Sequence, residues 1–188
     1  MQEWGIEIRD LSPNDEGILE QAAHLLNYYF PGPDGYPDLD SARAEVLESL
    51  GPGRLSRVAV RGRELMGWIG GICQYHGHAW ELHPLVVVPA WRNRGLGKAL
   101  VADLEERVRE RGGVTIFLGT DDVDGGTTLY GKDLYPHVLQ HVLAARALAH
   151  PMGFYLKVGF SLVGVIPDAN GFGRPDIFMA KRVGRKHP

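Results

Sequence analysis

The chain has 188 residues, of which 44% are hydrophobic, and this suits one domain with a buried core. Its formal net charge of −3 gives no general positive field for nucleic acid, and its one cysteine, Cys73, excludes a disulfide within the chain. The start MQEWGIEIRD lacks a signal-peptide core, and no apolar stretch approaches the ~20 residues that span a bilayer. We therefore expect a cytoplasmic domain with no nucleic-acid or membrane partner.

The N-terminal part of the chain is predicted to form one strand and then two helices. Apolar and polar residues alternate in the strand, and the first helix follows a serine cap with Pro13 at its first position. Gly51 is expected to end the second helix. The segments, in chain order, are WGIEIRDL, SPNDEGILEQAAHLLNYYF, the loop PGPDGYPD, and LDSARAEVLESLG.

The middle of the chain is predicted to form three successive strands and a longer helix. The strands are SRVAV, LMGWIGGICQY and AWELHPLVVV. The helix runs from about Gly95 to Arg111, and Gly112 and Gly113 are expected to end it. Its apolar residues recur at helical spacing and form one stripe: Leu96, Leu100, Leu104 and Val108.

The C-terminal part is predicted to alternate short strands and helices. A buried strand, VTIFLGT, precedes a glycine-rich acidic loop, and a helix is expected around Leu134–Ala149. The remaining elements are a short helix in HPMGFYLKVGF and two strands, SLVGVI and DIFMAKR, which close the sheet. The fold class expected is α/β, with a mixed, twisted central sheet flanked by helices. The basic end KRVGRKHP is interpreted as solvated chain rather than a nucleic-acid arm.

The segment RNRGLGK lies where the longer helix begins, and its composition favours an anion. Glycines allow the backbone to approach a ligand closely, and the first N–H groups of a helix have no intrahelical partner. These groups and the positive end of the helix dipole attract phosphate, and Arg92, Arg94 and Lys98 add charge. The alternative is that the two glycines only ease a corner between strand and helix.

Two familiar phosphate-binding motifs do not fit this turn. A Walker loop requires Ser or Thr after Gly-Lys, but Ala99 follows Lys98, and Arg92 occupies the position of the first glycine. A Rossmann turn requires a third glycine where Leu100 stands, and Phe117 lies where an acidic ribose ligand is expected. The anion site is therefore of another kind.

The strand before the turn carries Pro84, which has no N–H and cannot pair normally inside a sheet. A bulge there would splay the strand and leave the N–H groups of Leu85 and Val87 available for an extended amide chain or an oxyanion. The period of two places Glu81 and His83 on one face. Together these features suit a long phosphorylated acyl carrier.

The sequence RNRGLG resembles the Arg/Gln-x-x-Gly-x-Gly/Ala signature of the GNAT superfamily of acetyl-CoA-dependent N-acetyltransferases. The wider chain, from about Gly67 to Arg182, is similar to the aminoglycoside 6'-N-acetyltransferases, in WELHPLVV, RGGVTIFLGTDD, DGGTTL, HPMGFYLKVGF, VGVIPDANG and PDIFMAKR. The resemblance implies a single GNAT-type domain over residues 1–188, with its sheet splayed near Pro84, and acetyl-CoA as co-substrate. The predicted cofactor-binding residues are Leu85, Val86, Val87, Arg92, Asn93, Arg94, Gly95, Leu96, Gly97, Lys98 and Ala99.

The resemblance implies direct transfer of an acetyl group to a primary amine, which must first lose a proton. Glu81 is the candidate proton acceptor, directly or through water. His83 would order that water, although a structural histidine is the alternative. The N–H of Leu85 is the candidate oxyanion donor, and Tyr155 matches the tyrosine that protonates the departing thiolate in the superfamily.

The loop TDDVDGG places carboxylates together without a nearby cation, which suits a polycationic acceptor or, alternatively, a solvated turn. No metal is expected, because His137 and His141 lack a third ligand. Asp168 and Asp176 could add to the acceptor site. The predicted substrate-binding residues are Glu81, Asp121, Asp122, Asp124 and Phe30.

Three functions compete at this stage. The first is acetylation of the 6'-amino group of aminoglycosides, with a role in antibiotic resistance, by a homodimer as the resemblance implies. The second is a GNAT enzyme for a polyamine or a protein lysine, and the third is an acyl-CoA sensor that does not turn over. Acidic loops suit any cationic acceptor, so charge does not separate the first two.

Overall fold

The computed structural model describes residues 5–33 and 35–184. Trp4 of the predicted first strand, Asp34 of the predicted loop and residues 185–188 of the basic end therefore lie outside the described residues. The chain divides into two compact units, Met1–Gly113 and Val114–Pro188, called here the first and second unit. The expectation of a single domain over residues 1–188 stays a prediction.

The first unit is a four-stranded antiparallel sheet with helices. The strands β1 to β4 neighbour one another in chain order. The elements are β1 (Glu7–Asp10), α1 (Glu16–Tyr29), α2 (Leu39–Glu48), β2 (Arg54–Arg61), β3 (Glu64–Gln74), β4 (Ala79–Val87) and α3 (Leu96–Glu110), with a 3₁₀ turn at Pro89–Trp91.

Apolar residues cover both faces of this sheet. Residues of α1 and α2 form one buried cluster with alternate residues of the strands, Trp68 and Val86 among them. The predicted stripe of α3 is confirmed, because Leu96, Leu100, Leu104 and Val108 are all buried. A methyl group on Gly67 or Gly71 of β3 would meet Leu100 or Leu104 at 3.0 Å, so glycine lets α3 pack closely.

The predicted start of the first helix was wrong by a few residues. Helix α1 begins at Glu16, and its cap is Asp15, whose Oδ1 accepts a hydrogen bond from the Ile18 N–H. Ser12 instead accepts from the Asn14 N–H within the preceding turn. Both residue types cap helices, but only the side chain next to the first helical turn can do so.

The second unit contains a three-stranded antiparallel sheet in which β7 lies between β5 and β6. With two short helices, this confirms the α/β class in both units. The elements are β5 (Thr115–Asp121), α4 (Val138–Ala144), α5 (Met152–Lys157), β6 (Ser161–Ile166) and β7 (Asp176–Arg182).

The helix predicted around Leu134–Ala149 is much shorter than expected. Only Val138–Ala144 is helical, and the chain after it pairs with the glycine-rich loop instead. Ala147 forms a bridge with Thr127, and the Leu148 N–H donates to the Gly126 carbonyl at 2.8 Å. These contacts between distant parts of the chain override the local helical spacing.

Candidate active site

The register between β3 and β4 is interrupted at Pro84, as predicted. Gly71 lies opposite Leu82 before the interruption. Ile69 lies opposite Leu85 after it. Gly70 therefore faces two residues of β4 instead of one, which is the pattern of a bulge.

Gly70 is required at this bulge because the backbone of β4 comes very close. A Cβ atom on Gly70 would lie 2.2 Å from the His83 carbonyl oxygen and 3.1 Å from Cδ of Pro84. No side chain tolerates such a distance. The glycine of β3 and the proline of β4 thus form the irregularity together.

Beyond the bulge, two backbone donors of β4 are directed away from β3. The Val88 N–H donates to the Met66 carbonyl at 2.9 Å. Val88 and every second residue before it in β4 therefore direct their backbone groups towards β3. Directions alternate along a strand, so the N–H groups of Leu85 and Val87 point to the opposite side of β4. This is the direction that the sequence interpretation requires.

The side chains of β4 alternate between two faces. Trp80 and Leu82 are buried, whereas Glu81 is half-buried and His83 is exposed. Glu81 and His83 therefore share one face, as the spacing predicted.

His83 has two neighbours that the sequence interpretation missed. Its Nε2 lies 3.0 Å from the Tyr36 hydroxyl, which belongs to the loop between α1 and α2. The same nitrogen lies 3.9 Å from Oε1 of Glu45 on α2. Burial first, and then the Glu45 carboxylate, raise the pKa of the Tyr36 hydroxyl well above its usual value. Titratable groups from three elements thus converge on this face.

The basic turn has the backbone geometry that its glycines suggested. Asn93 and Gly95 both have positive φ, at 58° and 83°, and Gly95 is the residue from which α3 starts. The first intrahelical hydrogen bond from this cap joins the Ala99 N–H to the Gly95 carbonyl at 3.0 Å. The N–H groups of Leu96, Gly97 and Lys98 come before that bond, so they form the donor end of a 15-residue helix.

Aromatic rings orient the arginines of the turn. The Arg92 guanidinium lies 4.4 Å from the centre of the Tyr29 ring, and the Tyr29 hydroxyl donates to the Val87 carbonyl at 2.8 Å. Arg94 lies 5.1 Å from the centre of the Trp91 ring. Tyr29 therefore joins the end of β4 to the turn, a link that no local sequence pattern indicated.

Phe30, a predicted acceptor contact, lies at the end of α1. It is partly exposed, and its ring meets that of Tyr36 edge-on at 6.4 Å. The first unit therefore brings Phe30 near the Tyr36 loop and carries Glu81, His83 and the basic turn on successive parts of one strand–turn–helix segment.

In the second unit, Tyr155 lies on α5 and is largely buried. Its ring contacts those of Phe154 and Phe160 edge-on, at 5.2 and 5.5 Å. Burial raises the pKa of the Tyr155 phenol well above its usual value. The protonated state that an acid requires, which any tyrosine has at neutral pH, therefore extends into the alkaline range.

The three carboxylates of the acidic loop have different environments. Asp122 is buried and accepts three hydrogen bonds: from the Gly126 N–H at 2.7 Å, and from the Thr127 N–H and hydroxyl at 2.9 and 2.6 Å. Asp121 and Asp124 are exposed. The Asp122 carboxylate thus holds the loop, while its two neighbours face solvent.

Other side chains anchor this region. Asn170 donates to Oδ1 of Asp121 at 2.6 Å, and Asp168 accepts from the Gly173 N–H at 2.7 Å. Asp176 lies opposite Asp121 in the pairing of β5 with β7. Asp168 and Asp176 are thus placed by the backbone of the second unit.

His150 was given no role by the sequence interpretation, yet it joins two candidate parts of the second unit. Its Nδ1 accepts from the Met152 N–H at 3.2 Å, at the start of α5. That leaves Nε2 to donate to the Asp121 carbonyl at 2.9 Å. The acidic loop and the helix that carries Tyr155 are therefore linked through one imidazole.

Within residues 5–33 and 35–184, no three His, Cys, Asp or Glu side chains are grouped so that they could hold a metal ion. The helices of these same ranges all fall short of the length and apolar character needed to cross a bilayer.

The model of the acetyltransferase (GNAT) family matches residues 19–132. A search of curated proteins finds no significant match.

Several solved structures are similar over nearly the whole chain. An aminoglycoside 6'-N-acetyltransferase complexed with coenzyme A is 43% identical, with a TM-score of 0.90. The aminoglycoside 6'-N-acetyltransferase from Enterococcus faecium is 44% identical, with a TM-score of 0.88. An aminoglycoside 6'-acetyltransferase type Ii is 38% identical, with a TM-score of 0.76. Each match covers 97% of this chain and 99% of the other.

Proposed function

Because the chain belongs to the acetyltransferase (GNAT) family, we propose that it transfers the acetyl group of acetyl-CoA to the 6'-amino group of aminoglycosides. The observation that carries this proposal is the identity of 38–44%, over 97% of the chain, with three aminoglycoside 6'-acetyltransferases. Coenzyme A in one of those structures supports acetyl-CoA as the co-substrate here.

The first unit offers the groups that acetyl-CoA requires. The N–H groups of Leu96, Gly97 and Lys98 lie at the positive end of α3, where a pyrophosphate is favoured. Arg92 and Arg94, whose guanidinium groups lie over aromatic rings, add positive charge next to these donors. The pantetheine arm would bind along β4, where the N–H groups of Leu85 and Val87 face away from β3.

The chemical step begins with the loss of a proton from the acceptor ammonium to Glu81, directly or through water. The neutral amine then attacks the thioester carbonyl, and the N–H of Leu85 stabilises the oxyanion of the tetrahedral intermediate. The nitrogen of the intermediate then loses its second proton, the carbon–sulfur bond breaks, and the products are the acetylated amine, the thiolate of coenzyme A and the released proton.

The sulfur leaves more readily if it gains a proton, and we assign this proton to Tyr155, whose phenolate then regains a proton from solvent. A tyrosine phenol is protonated at neutral pH and can donate, and burial, which raises the pKa of Tyr155, preserves this state into the alkaline range. Its packing between Phe154 and Phe160 fixes the ring.

The acceptor is a polycation, and the exposed carboxylates of Asp121 and Asp124 would attract it. Asp122 already accepts three hydrogen bonds inside the loop, so we give it the task of supporting that loop. Phe30 offers a partly exposed ring against which a sugar could pack.

The test is a comparison of amines by thiol release from acetyl-CoA, with the products located by mass spectrometry and NMR. Kanamycin-type substrates with a 6'-amine should gain one acetyl group at that position. A close analogue with a 6'-hydroxyl should bind but turn over poorly, because its other amines are held away from the thioester. Faster turnover of spermidine or a peptide lysine would favour a GNAT enzyme that acetylates a polyamine or a protein lysine. Acetyl-CoA binding without any turnover would favour an acyl-CoA sensor.

We also propose that the enzyme is a homodimer. The second unit exposes large apolar side chains, with Leu139 at 78%, Leu143 at 84% and Phe172 at 98% of their full exposure. Contact with a second copy would remove such surface from water. Light scattering measures the mass, and a monomer at micromolar concentration would contradict this part of the proposal.

The remaining expectations concern location and role. One cysteine suits a reducing compartment such as the cytoplasm, and cell fractionation tests this. A contribution to antibiotic resistance would appear as a higher inhibitory concentration of a 6'-amino aminoglycoside in cells that express the chain, but not of its 6'-hydroxyl analogue.

A further inference from the structure

Three side chains of the first unit form a cluster to which nothing above assigns a common task. The Tyr36 hydroxyl is 3.0 Å from Nε2 of His83, and Oε1 of Glu45 is 3.9 Å from the same nitrogen. His83 shares its strand face with Glu81. The cluster therefore adjoins the group to which the proposed chemistry gives the proton.

The protein holds Tyr36 in place by its backbone. The Tyr36 N–H donates to the Phe30 carbonyl, and the Asn27 side chain donates to the Tyr36 carbonyl, both at 2.7 Å. Gly35 permits this tight loop, because a Cβ atom there would lie 2.6 Å from the Phe30 carbonyl oxygen. These contacts anchor the Tyr36 backbone beside the end of α1.

The chemistry of the three groups sets the direction of their hydrogen bonds. The Glu45 carboxylate, 3.9 Å from Nε2, favours a proton on that nitrogen. The Tyr36 hydroxyl can donate or accept, so its oxygen accepts from the protonated Nε2 at 3.0 Å. The Glu45 side chain is only 18% exposed, and water therefore competes weakly for its oxygens.

We propose that Tyr36 and Glu45 are positioning residues that keep the proton of His83 on Nε2 and leave Nδ1 as the proton-accepting nitrogen for acetyl transfer. The proposal deepens the proposed function and rests on it for the identity of the acceptor. His83 would then accept protons beside Glu81 as well as order water.

The step moves one proton and no electrons. After Glu81 has taken the first proton and the amine has attacked, the positively charged nitrogen of the intermediate gives its second proton to Nδ1, directly or through a water, and His83 becomes an imidazolium. The Glu45 carboxylate, 3.9 Å from Nε2, stabilises that positive charge. The imidazolium returns the proton to solvent after the product leaves.

Other charges face this cluster and belong in any interpretation of its pH dependence. Glu48 of α2 and Arg54 of β2 form an ion pair, and both act on the Tyr36 hydroxyl electrostatically. Glu81 contributes a third charge from β4. Because these charges remain in the variants below, a change can be attributed to the altered group.

The first measurement is NMR of the histidine ring nitrogens in the free protein, in mildly alkaline buffer. The His83 signals are assigned with His83→Gln. Wild-type protein should show the proton on Nε2 and in slow exchange with water, and Tyr36→Phe and Glu45→Gln should each lose this protection. A wild-type proton on Nδ1, or protection unchanged in both variants, would overturn the proposal whatever amine the enzyme uses.

The second measurement is kinetic and uses the amine with the highest turnover. Tyr36→Phe should lower kcat about tenfold, which is less than the ~10²–10⁴-fold that a general acid–base group itself contributes, with acetyl-CoA affinity unchanged. In a His83→Gln background the same change should have no further effect. A further tenfold loss there would mean that Tyr36 only supports the fold.

The matched control is Tyr28→Phe, which removes an exposed hydroxyl from α1 and should alter neither kcat nor the His83 signals. If Tyr36→Phe fails to fold, both the NMR and the kinetic measurements are made on Glu45→Gln. The lack of any acetylated aminoglycoside would contradict the proposed function, whereas the NMR result separately decides the positioning role.

Discussion

The candidate residues of the first unit come mainly from one continuous stretch of chain, whereas those of the second unit come from well-separated segments. In the first, the chain from Glu81 to Ala99 forms a strand, a basic turn and a helix start. In the second, the acidic loop depends on His150 and Asn170, which lie 29 and 49 residues from Asp121. The first arrangement is a local property of the sequence, and the second exists only after folding.

The two units also use polar side chains differently. In the first, Tyr29 and Tyr36 bring phenol groups against the strand and the turn, and their hydroxyls contact β4. In the second, the buried carboxylate of Asp122 holds its own loop. Substitutions in the first unit should therefore change binding or chemistry, and some in the second should change stability first.

The largest effects should come from the two residues assigned to proton transfer, one in each unit. Glu81→Gln and Tyr155→Phe should retain acetyl-CoA binding and lose turnover, since general acid–base roles contribute ~10²–10⁴-fold. Burial raises the pKa of Tyr155, so the wild-type acid stays active through neutral pH and its loss with rising pH occurs only in the alkaline range. The measurement is kcat against pH, with acetyl-CoA affinity by calorimetry.

Phe154→Leu is the structural control for Tyr155→Phe, because it alters the packing around the Tyr155 ring but leaves the Tyr155 hydroxyl in place. Wild-type turnover of both Glu81→Gln and Tyr155→Phe at every pH would show that the chemistry is assigned to the wrong groups.

A smaller effect, on binding, is expected at the basic turn. Gly97→Asp places a carboxylate beside the N–H groups that would hold the pyrophosphate, so acetyl-CoA affinity should fall by about tenfold or more, or about 1.4 kcal/mol. Gly17→Asp is the matched control, since Gly17 is exposed in the first turn of α1 and has open space around it. Unchanged affinity in folded Gly97→Asp would remove the turn as the anion site.

The same contrast explains what the sequence could predict. The stripe of α3, the bulge at Pro84 and the glycine turn follow from spacing and from the properties of proline and glycine, so they were identified. The partners of His83 were not, because Tyr36 is 47 residues away in the chain and belongs to a loop without a recognisable motif. The prediction that the helix ends at Ala149 was wrong for a similar reason, since Ala147 pairs with the distant residue Thr127.

The smallest effects should separate two aspartates of one loop. Asp122→Asn replaces one carboxylate oxygen by an amide group, so at least one of the donors from Gly126 and Thr127 loses its acceptor. An unsatisfied buried group costs about 1–3 kcal/mol, and chemical denaturation should show a loss of this size. Asp124→Asn removes the charge of an exposed side chain, and the stability of this variant should stay within about 0.5 kcal/mol of wild type.

For the salt dependence of acceptor affinity, the larger effect should come from Asp124→Asn and the smaller from Asp122→Asn. The apparent affinity for a cationic acceptor should fall as salt rises, because exposed charges are screened beyond about 8–10 Å near physiological ionic strength. Asp124→Asn should weaken this salt dependence, since it removes a charge that recruits the acceptor. If Asp124→Asn keeps the full salt dependence while Asp122→Asn abolishes it in folded protein, the buried carboxylate recruits the substrate and the division of tasks within this loop is wrong.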